Sequence, residues 1–274
     1  MLRMWVLLAT AGCNPVFGLK ETVPPDGPPP PIGCSGQLFG SPVSLPPLVE
    51  NQAEFDGQLS ADGRELWMVA HDPSVQDEFR AYRSVRATRD ADFPLATKVD
   101  LAPGRAVTDP ALTADGRRIM FVSREPTELV LEAVRETPDG VFGSPALISG
   151  LGSISVAGLD LSVDGLTVYY TNFAGDLWTA SRATVDDPFV DARMLMTNIG
   201  YPSVSPDQLE LFYTKVTPTG GPIYRRLRPA VSEPFGPDET IVADRGADPD
   251  VSPDGRTLVI SDLGGLTLLT RECP

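Results

Sequence analysis

One pattern constrains this chain more than any other. It is clearest at Asp248-Pro249-Asp250-Val251-Ser252-Pro253-Asp254-Gly255-Arg256, followed by the apolar run Thr257-Leu258-Val259-Ile260, and it recurs with variations five times. Its turn aspartates, Asp62, Asp115, Asp164, Asp207 and Asp254, stand 43 to 53 residues apart, a period that belongs to propellers and solenoids. Asp-Gly between two apolar runs predicts a hairpin, because glycine enters the positive-φ conformation of a tight turn without steric cost. The fourth copy carries Gln208 in place of the turn glycine, so a looser or different turn is expected there.

The strand after each turn reads Leu66-Trp67-Met68-Val69, Ile119-Met120-Phe121-Val122, Val168-Tyr169-Tyr170-Thr171, Leu211-Phe212-Tyr213-Thr214 and Leu258-Val259-Ile260-Ser261. Such runs lack polar alternation and need cover on both faces, which suits a blade wedged between two others. A third segment aligns on Arg86, Arg135, Arg182, Arg228 and Arg271, and a fourth begins at Phe93, Phe142, Phe189 and Phe235. Four strands per repeat predict an all-β fold, a five-bladed β-propeller.

The two ends of the repeat array complete each other. Leu38-Phe39-Gly40-Ser41-Pro42 resembles Val141-Phe142-Gly143-Ser144-Pro145, the start of a fourth strand, whereas Leu266 to Arg271 is a third strand with nothing after it. The N-terminal strand is therefore expected to complete the C-terminal blade, removing the open edges. That closure brings Cys34 and Cys273 together and predicts a disulfide between them.

Ahead of the repeats, Met1-Leu2-Arg3-Met4 leads into the apolar Trp5 to Ala11 and then Gly12-Cys13. A positive start, a short apolar run and small residues before a cut are signal-peptide features, and the run is too short to span a bilayer. Small-small-Cys resembles the lipobox of bacterial lipoproteins, with Thr10 where that family usually has Leu. The resemblance implies acylation of Cys13, a membrane partnership through the lipid anchor, and a place in the periplasmic cell envelope. Asn14, in the absence of Asp there, points to the outer membrane. The expected organisation is a signal peptide over 1–12, the lipidated Cys and a Pro-rich linker over 13–37, and a propeller domain over 38–274. The linker, stiffened by Pro24-Pro25 and Pro28 to Pro31, would reach about 60 Å in polyproline II geometry.

The repeated motif resembles that of the TolB-like propeller family of periplasmic and envelope proteins, over roughly residues 50 to 272. The resemblance implies a non-catalytic protein-binding platform, so no enzymatic activity is expected. A net charge of −15 and a pI near 4.4 argue against nucleic acid, which needs clustered Lys and Arg. A monomer with an envelope protein or glycan as partner is expected.

Chemistry has few places to hide in this sequence. The only histidine, His71, has no nucleophile near it in sequence and reads as a loop residue, and three cysteines without Cys-x-x-Cys spacing make no zinc site. The carboxylates Asp56, Asp109, Asp160, Asp248 and Asp250 fall on the innermost strands and so line the channel. They are candidates for a ligand or a hard cation such as Ca²⁺, or for the acid and base of a glycoside hydrolase-like propeller. Against this stands a structural reading: Asp and Pro start the strand and cap its turn, and their recurrence with the repeat favours that reading, so no cofactor is expected.

Overall fold

A computed structural model describes residues 33–71, 79–124, 127–151, 155–215, 221–243, 246–262 and 265–274. The signal segment, Cys13 and the linker as far as residue 32 lie outside the described residues.

The chain opens with the short strand β1 (Val43–Ser44). Blade 1 follows as β2 (Ala53–Leu59), β3 (Glu65–His71), β4 (Phe79–Val85) and β5 (Thr97–Val99), and blade 2 as β6 (Val107–Leu112), β7 (Arg118–Ser123), β8 (Leu129–Val134) and β9 (Ala146–Leu147). Blade 3 is β10 (Val156–Leu161), β11 (Thr167–Asn172), β12 (Leu177–Ser181) and β13 (Val190–Met196). Blade 4 is β14 (Gly200–Val204), β15 (Glu210–Thr214), β16 (Ile223–Leu227) and β17 (Glu239–Val242). Blade 5 is β18 (Ala247–Val251), β19 (Thr257–Asp262) and β20 (Gly265–Thr270), completed by β1, with Val43 opposite Leu268 and Ser44 opposite Thr267. All five sheets are antiparallel meanders of four strands, and the expected closure is present.

The same bonds fix each hairpin. The motif hydroxyl of Ser60, Thr113, Ser162, Ser205 or Ser252 donates to the turn Asp Oδ1 at 2.6 Å. That oxygen also accepts the N–H two residues on, while the N–H five residues past the Ser or Thr donates back to the hydroxyl. The turn glycines sit at φ of 65 to 71°. Gln208 corrects the expectation of a different turn: it takes φ 59° and keeps the bond from its N–H to the Ser205 carbonyl. The Ser205–Asp207 bonds survive unchanged, so the backbone follows the repeat and the side chain carries the strain.

The outermost strands are shorter than the sequence segments that begin with Phe. Pro94, Pro145 and Pro237 interrupt three of them, and a proline has no N–H for the ladder. Only β13, free of proline, runs for 7 residues.

Buried clusters among the described residues fill the wedges between neighbouring blades. Trp67 of blade 1 meets Ile119 and Phe121 of blade 2, and Met120 and Val122 meet Val168 and Tyr170 of blade 3. Tyr169 meets Leu211 and Tyr213, Phe212 meets Leu258 and Ile260, and Val259 closes the ring against Leu66 and Met68.

A second repeated device crosses those wedges. The Nε of Arg86, Arg135, Arg182, Arg228 and Arg271 donates to the carbonyl of the turn residue of its own blade. Each guanidinium also lies 4.2 to 4.6 Å from the ring centre of Phe93, Phe142, Phe189, Phe235 or Phe39 respectively. Three of them then reach an acid of the preceding blade: Arg135 to Glu65, Arg182 to Glu132 and Arg271 to Glu210. Arg228 bonds Tyr169 Oη instead, at 3.1 Å. These arginines are packed stems, and the N-terminal segment supplies the fifth phenylalanine.

The packed structure extends ahead of Leu38. Cys34 is buried and forms the disulfide with Cys273, with Cα atoms 4.8 Å apart. Ser35 Oγ donates to Asp207, the Gly36 N–H to Glu210 Oε1, and the Gln37 carbonyl accepts from Arg225.

Candidate site at the channel mouth

Every innermost strand carries a one-residue bulge at the same level, between Phe55 and Gln58, Thr108 and Ala111, Val156 and Gly158, Gly200 and Ser203, and Ala247 and Asp250. In four blades the bulged backbone takes a left-handed conformation, at Asp56, Asp109, Tyr201 and Asp248, with φ of 46 to 52°. Bulges re-aim side chains, and these four turn toward the channel at the end opposite the Asp-Gly hairpins. A pocket of about 530 Å³ opens there, within the range of ordinary ligand sites. Beneath it the channel narrows to about 30 Å³ between Pro110, Leu159, Pro202 and Pro249.

The five channel aspartates separate into two levels. Asp56, Asp109 and Asp248 line the pocket. Asp160 and Asp250 lie one step deeper, in a ring of links between blades. Asp160 Oδ2 accepts the Val204 N–H at 2.6 Å and its Oδ1 the Leu161 N–H at 2.7 Å. Ser203 Oγ accepts the Val251 N–H at 2.9 Å, Gln58 Oε1 accepts the Leu112 N–H, and Gln58 Nε2 donates to Asp250 Oδ2. For Asp160 the structural reading holds, but by stapling adjacent blades rather than by capping a turn. The turn is capped by its own aspartate, so the Asp56, Asp109 and Asp248 side chains are not explained that way.

At the mouth, Asp56 Oδ2 accepts the Asp109 N–H at 3.0 Å. Asp56 and Asp248 line the same pocket, and the Asp56 charge disfavours ionisation of Asp248. Asp248 Oδ1 is buried and accepts no N–H or hydroxyl bond among the described residues. Burial raises Asp56, and burial together with the Asp56 charge pushes Asp109 up to about 8. Asp248 is raised well above the carboxylate range by burial and then by Asp56 and Asp109. Burial also pushes Asp160 up to about 7, opposed by its two amide bonds, and raises Asp250.

Arg124 is the cation of this cluster. Its Nε donates to Thr108 Oγ1 at 3.0 Å, its Nη2 lies 3.4 Å from Asp109 Oδ2, and its guanidinium is 5.6 Å from the Phe173 ring centre. Phe55 and Phe79 form further apolar wall. Lys215 lines the rim, but its ammonium is held by Asp238 Oδ2 at 3.0 Å and by the Tyr224 ring. His71 ends β3 and stacks on Phe79 at 4.7 Å, outside the pocket lining. Sequence reasoning missed Arg124, Phe79 and Phe173. They stand at strand ends on the far side of each blade from the repeated motif, where the copies share no pattern.

Among the described residues no group of three or more His, Cys, Asp or Glu is placed to hold a metal ion.

No family model and no curated protein matches the chain. Solved structures do. The putative TolB of Agrobacterium tumefaciens superimposes with a TM-score of 0.50 at 19% identity, over 76% of this chain and 69% of that one. The chain is a five-bladed β-propeller. The catalytic domain of the GH62 α-L-arabinofuranosidase of Coprinopsis cinerea aligns over 86% of this chain and 97% of its own, with a TM-score of 0.58 at 12% identity. The α-L-arabinofuranosidase PaAbf62A of Podospora anserina, solved with cellotriose, gives 0.56 at 12%, over 87% and 98%. At such identities the likeness is one of fold.

Proposed function

We propose that this protein is a TolB-like, non-catalytic recognition propeller of the bacterial cell envelope, lipid-anchored through Cys13 to the outer membrane, with the channel-mouth pocket as its binding site. The observation that carries the reading is that two of the mouth carboxyls are engaged by the protein itself: Asp56 Oδ2 accepts the Asp109 N–H, and Asp109 Oδ2 is held by Arg124. Paired glycosidase carboxyls stand about 5–5.5 Å apart in retaining enzymes and about 6.5–9.5 Å in inverting ones, so that a sugar or a water fits between them. Carboxyls tied to a neighbouring main chain and to a guanidinium are poorly placed for that task. The Ala-Gly-Cys sequence supports the anchor.

A second reading, a carbohydrate-active propeller enzyme, draws on Asp109. A carboxyl pushed up to about 8 keeps its proton at neutral pH and can serve as a general acid, and the arabinofuranosidases align over nearly their whole length. One preparation separates the two. Incubated with arabinoxylan and a panel of other glycans, the purified protein should release no reducing sugar; release that disappears in Asp109→Asn would establish the enzyme. Fatty-acid labelling of the expressed protein should be lost in Cys13→Ser, and retained label would rule out the anchor.

A further inference from the structure

The lining of the mouth pocket specifies a ligand class. We propose that it takes an organic cation, a molecule whose alkylated ammonium group sits against the carboxyls of Asp56 and Asp248 while its apolar body lies along Phe55, Phe79 and Phe173. This rests on the pocket being the binding site.

Three observations carry it. The carboxyls outnumber the cations: among the described residues Asp56, Asp109 and Asp248 face the pocket against Arg124, the Lys215 ammonium being committed to Asp238. Asp248 Oδ1 is buried and makes no hydrogen bond among the described residues, so the pocket holds a polar atom that lacks a partner. Finally, Arg124 displays the required contact from within the protein, between a carboxylate at 3.4 Å and the Phe173 ring at 5.6 Å. An aromatic wall beside buried carboxyls attracts alkylated ammonium more than a neutral body of the same shape, through the ring quadrupole as well as through charge. The space of about 530 Å³ exceeds what a bare ammonium fills and fits one borne on a larger body.

Binding is coupled to protons. Without ligand, burial and the charges of Asp56 and Asp109 favour a proton on Asp248, which relieves the repulsion within the cluster. An entering cation takes over that task, and the proton leaves to solvent. Affinity therefore rises with pH over the range in which the cluster is protonated. Glu128 ahead of β8 also acts on Asp109, whereas Asp250 on β18 and Tyr201 on β14 are themselves raised by burial and by these carboxyls.

Calorimetric titration of the folded protein tests this with choline and benzyltrimethylammonium, against 3,3-dimethylbutan-1-ol as the neutral isostere of choline and arabinose as a neutral sugar. The ammonium probes should bind, with the isostere about tenfold weaker or worse. Affinity should increase from pH 6 to pH 8, and heats in buffers of different ionisation enthalpy should report proton release. Asp248→Asn should abolish the pH dependence and weaken binding. Phe173→Ala changes a side chain that is 61% exposed, so it should weaken binding without unfolding the protein. Equal binding of choline and its isostere, or no binding of either ammonium probe, would overturn the proposal. Arabinose binding in their place, lost in Phe173→Ala, would overturn the ligand class and leave the pocket as the binding site.

Discussion

The mouth carboxyls set a measurable pH dependence of their own. An unfolded Asp109 ionises near 3.8, whereas the folded one keeps its proton to about 8. The folded state thus binds the extra proton, and its stabilising effect is full below the unfolded value and lost as pH rises through the folded one. Thermal unfolding should show a midpoint falling between pH 5 and pH 8, with a shallower fall in Asp109→Asn; an unchanged slope would contradict the burial argument. Gln208 shows residue and backbone disagreeing in a different way. A left-handed residue that is not glycine costs about 1–2 kcal/mol, yet its Oε1 accepts the Tyr169 hydroxyl at 2.8 Å, which offsets part of that. The sequence betrayed the substitution but not the tether, since Tyr169 belongs to the neighbouring blade.

Among the elements, the junction of blades 4 and 5 concentrates buried charge. Glu210 is fully buried between Arg225 and Arg271, which are 2% and 0% exposed at their side chains, and it also accepts the Gly36 N–H. Replacing it by Gln would leave the buried Arg271 guanidinium without its anion and Arg225 with Glu239 alone. Losing one partner of a buried pair costs about 3–5 kcal/mol, so Glu210→Gln should lower the denaturant midpoint sharply. Arg89→Ala, which breaks the exposed pair with Asp254, should change it by less than about 1 kcal/mol. Similar midpoints for the two variants would show that the junction does not depend on its ions. Part of this network was readable from the repeat: blade 1 has Glu65 and Arg83 where blade 2 has Arg118 and Glu132, and both pairs form. Such a charge exchange between equivalent positions signals contact. The reach of the acid into the next blade had no counterpart in sequence, because the wedge angle between blades brings those residues together.

For the whole molecule, closure is the decisive event. β1 has only two residues, and its hold on blade 5 is reinforced by Phe39 against Arg271 and by the Cys34–Cys273 bridge, which spans 239 residues of sequence. A cross-link over so long a loop stabilises by up to about 5 kcal/mol in the chain-entropy account. Cys273→Ser should therefore lower the thermal midpoint by about 10 °C, and limited proteolysis should then release the N-terminal segment first; a shift of only about 2–3 °C would mean that packing alone closes the ring. By itself the sequence determined the number of blades, the hairpins, the closing strand and the cysteine pair. Each follows from a local period or from a match between the two ends, which the order of residues records. Tertiary structure alone decided which aspartates matter at the channel. Asp56, Asp109 and Asp248 stand four residues before the motif hydroxyl and Asp160 and Asp250 two before it, but only the folded strands, each with a single bulge, show that the first set reaches the mouth while Asp160 and Asp250 stay in the ring of links below. Arg124 joins from the end of Asp109's own blade and Phe173 from blade 3, because the side chains of a channel meet around the axis and not along the strand.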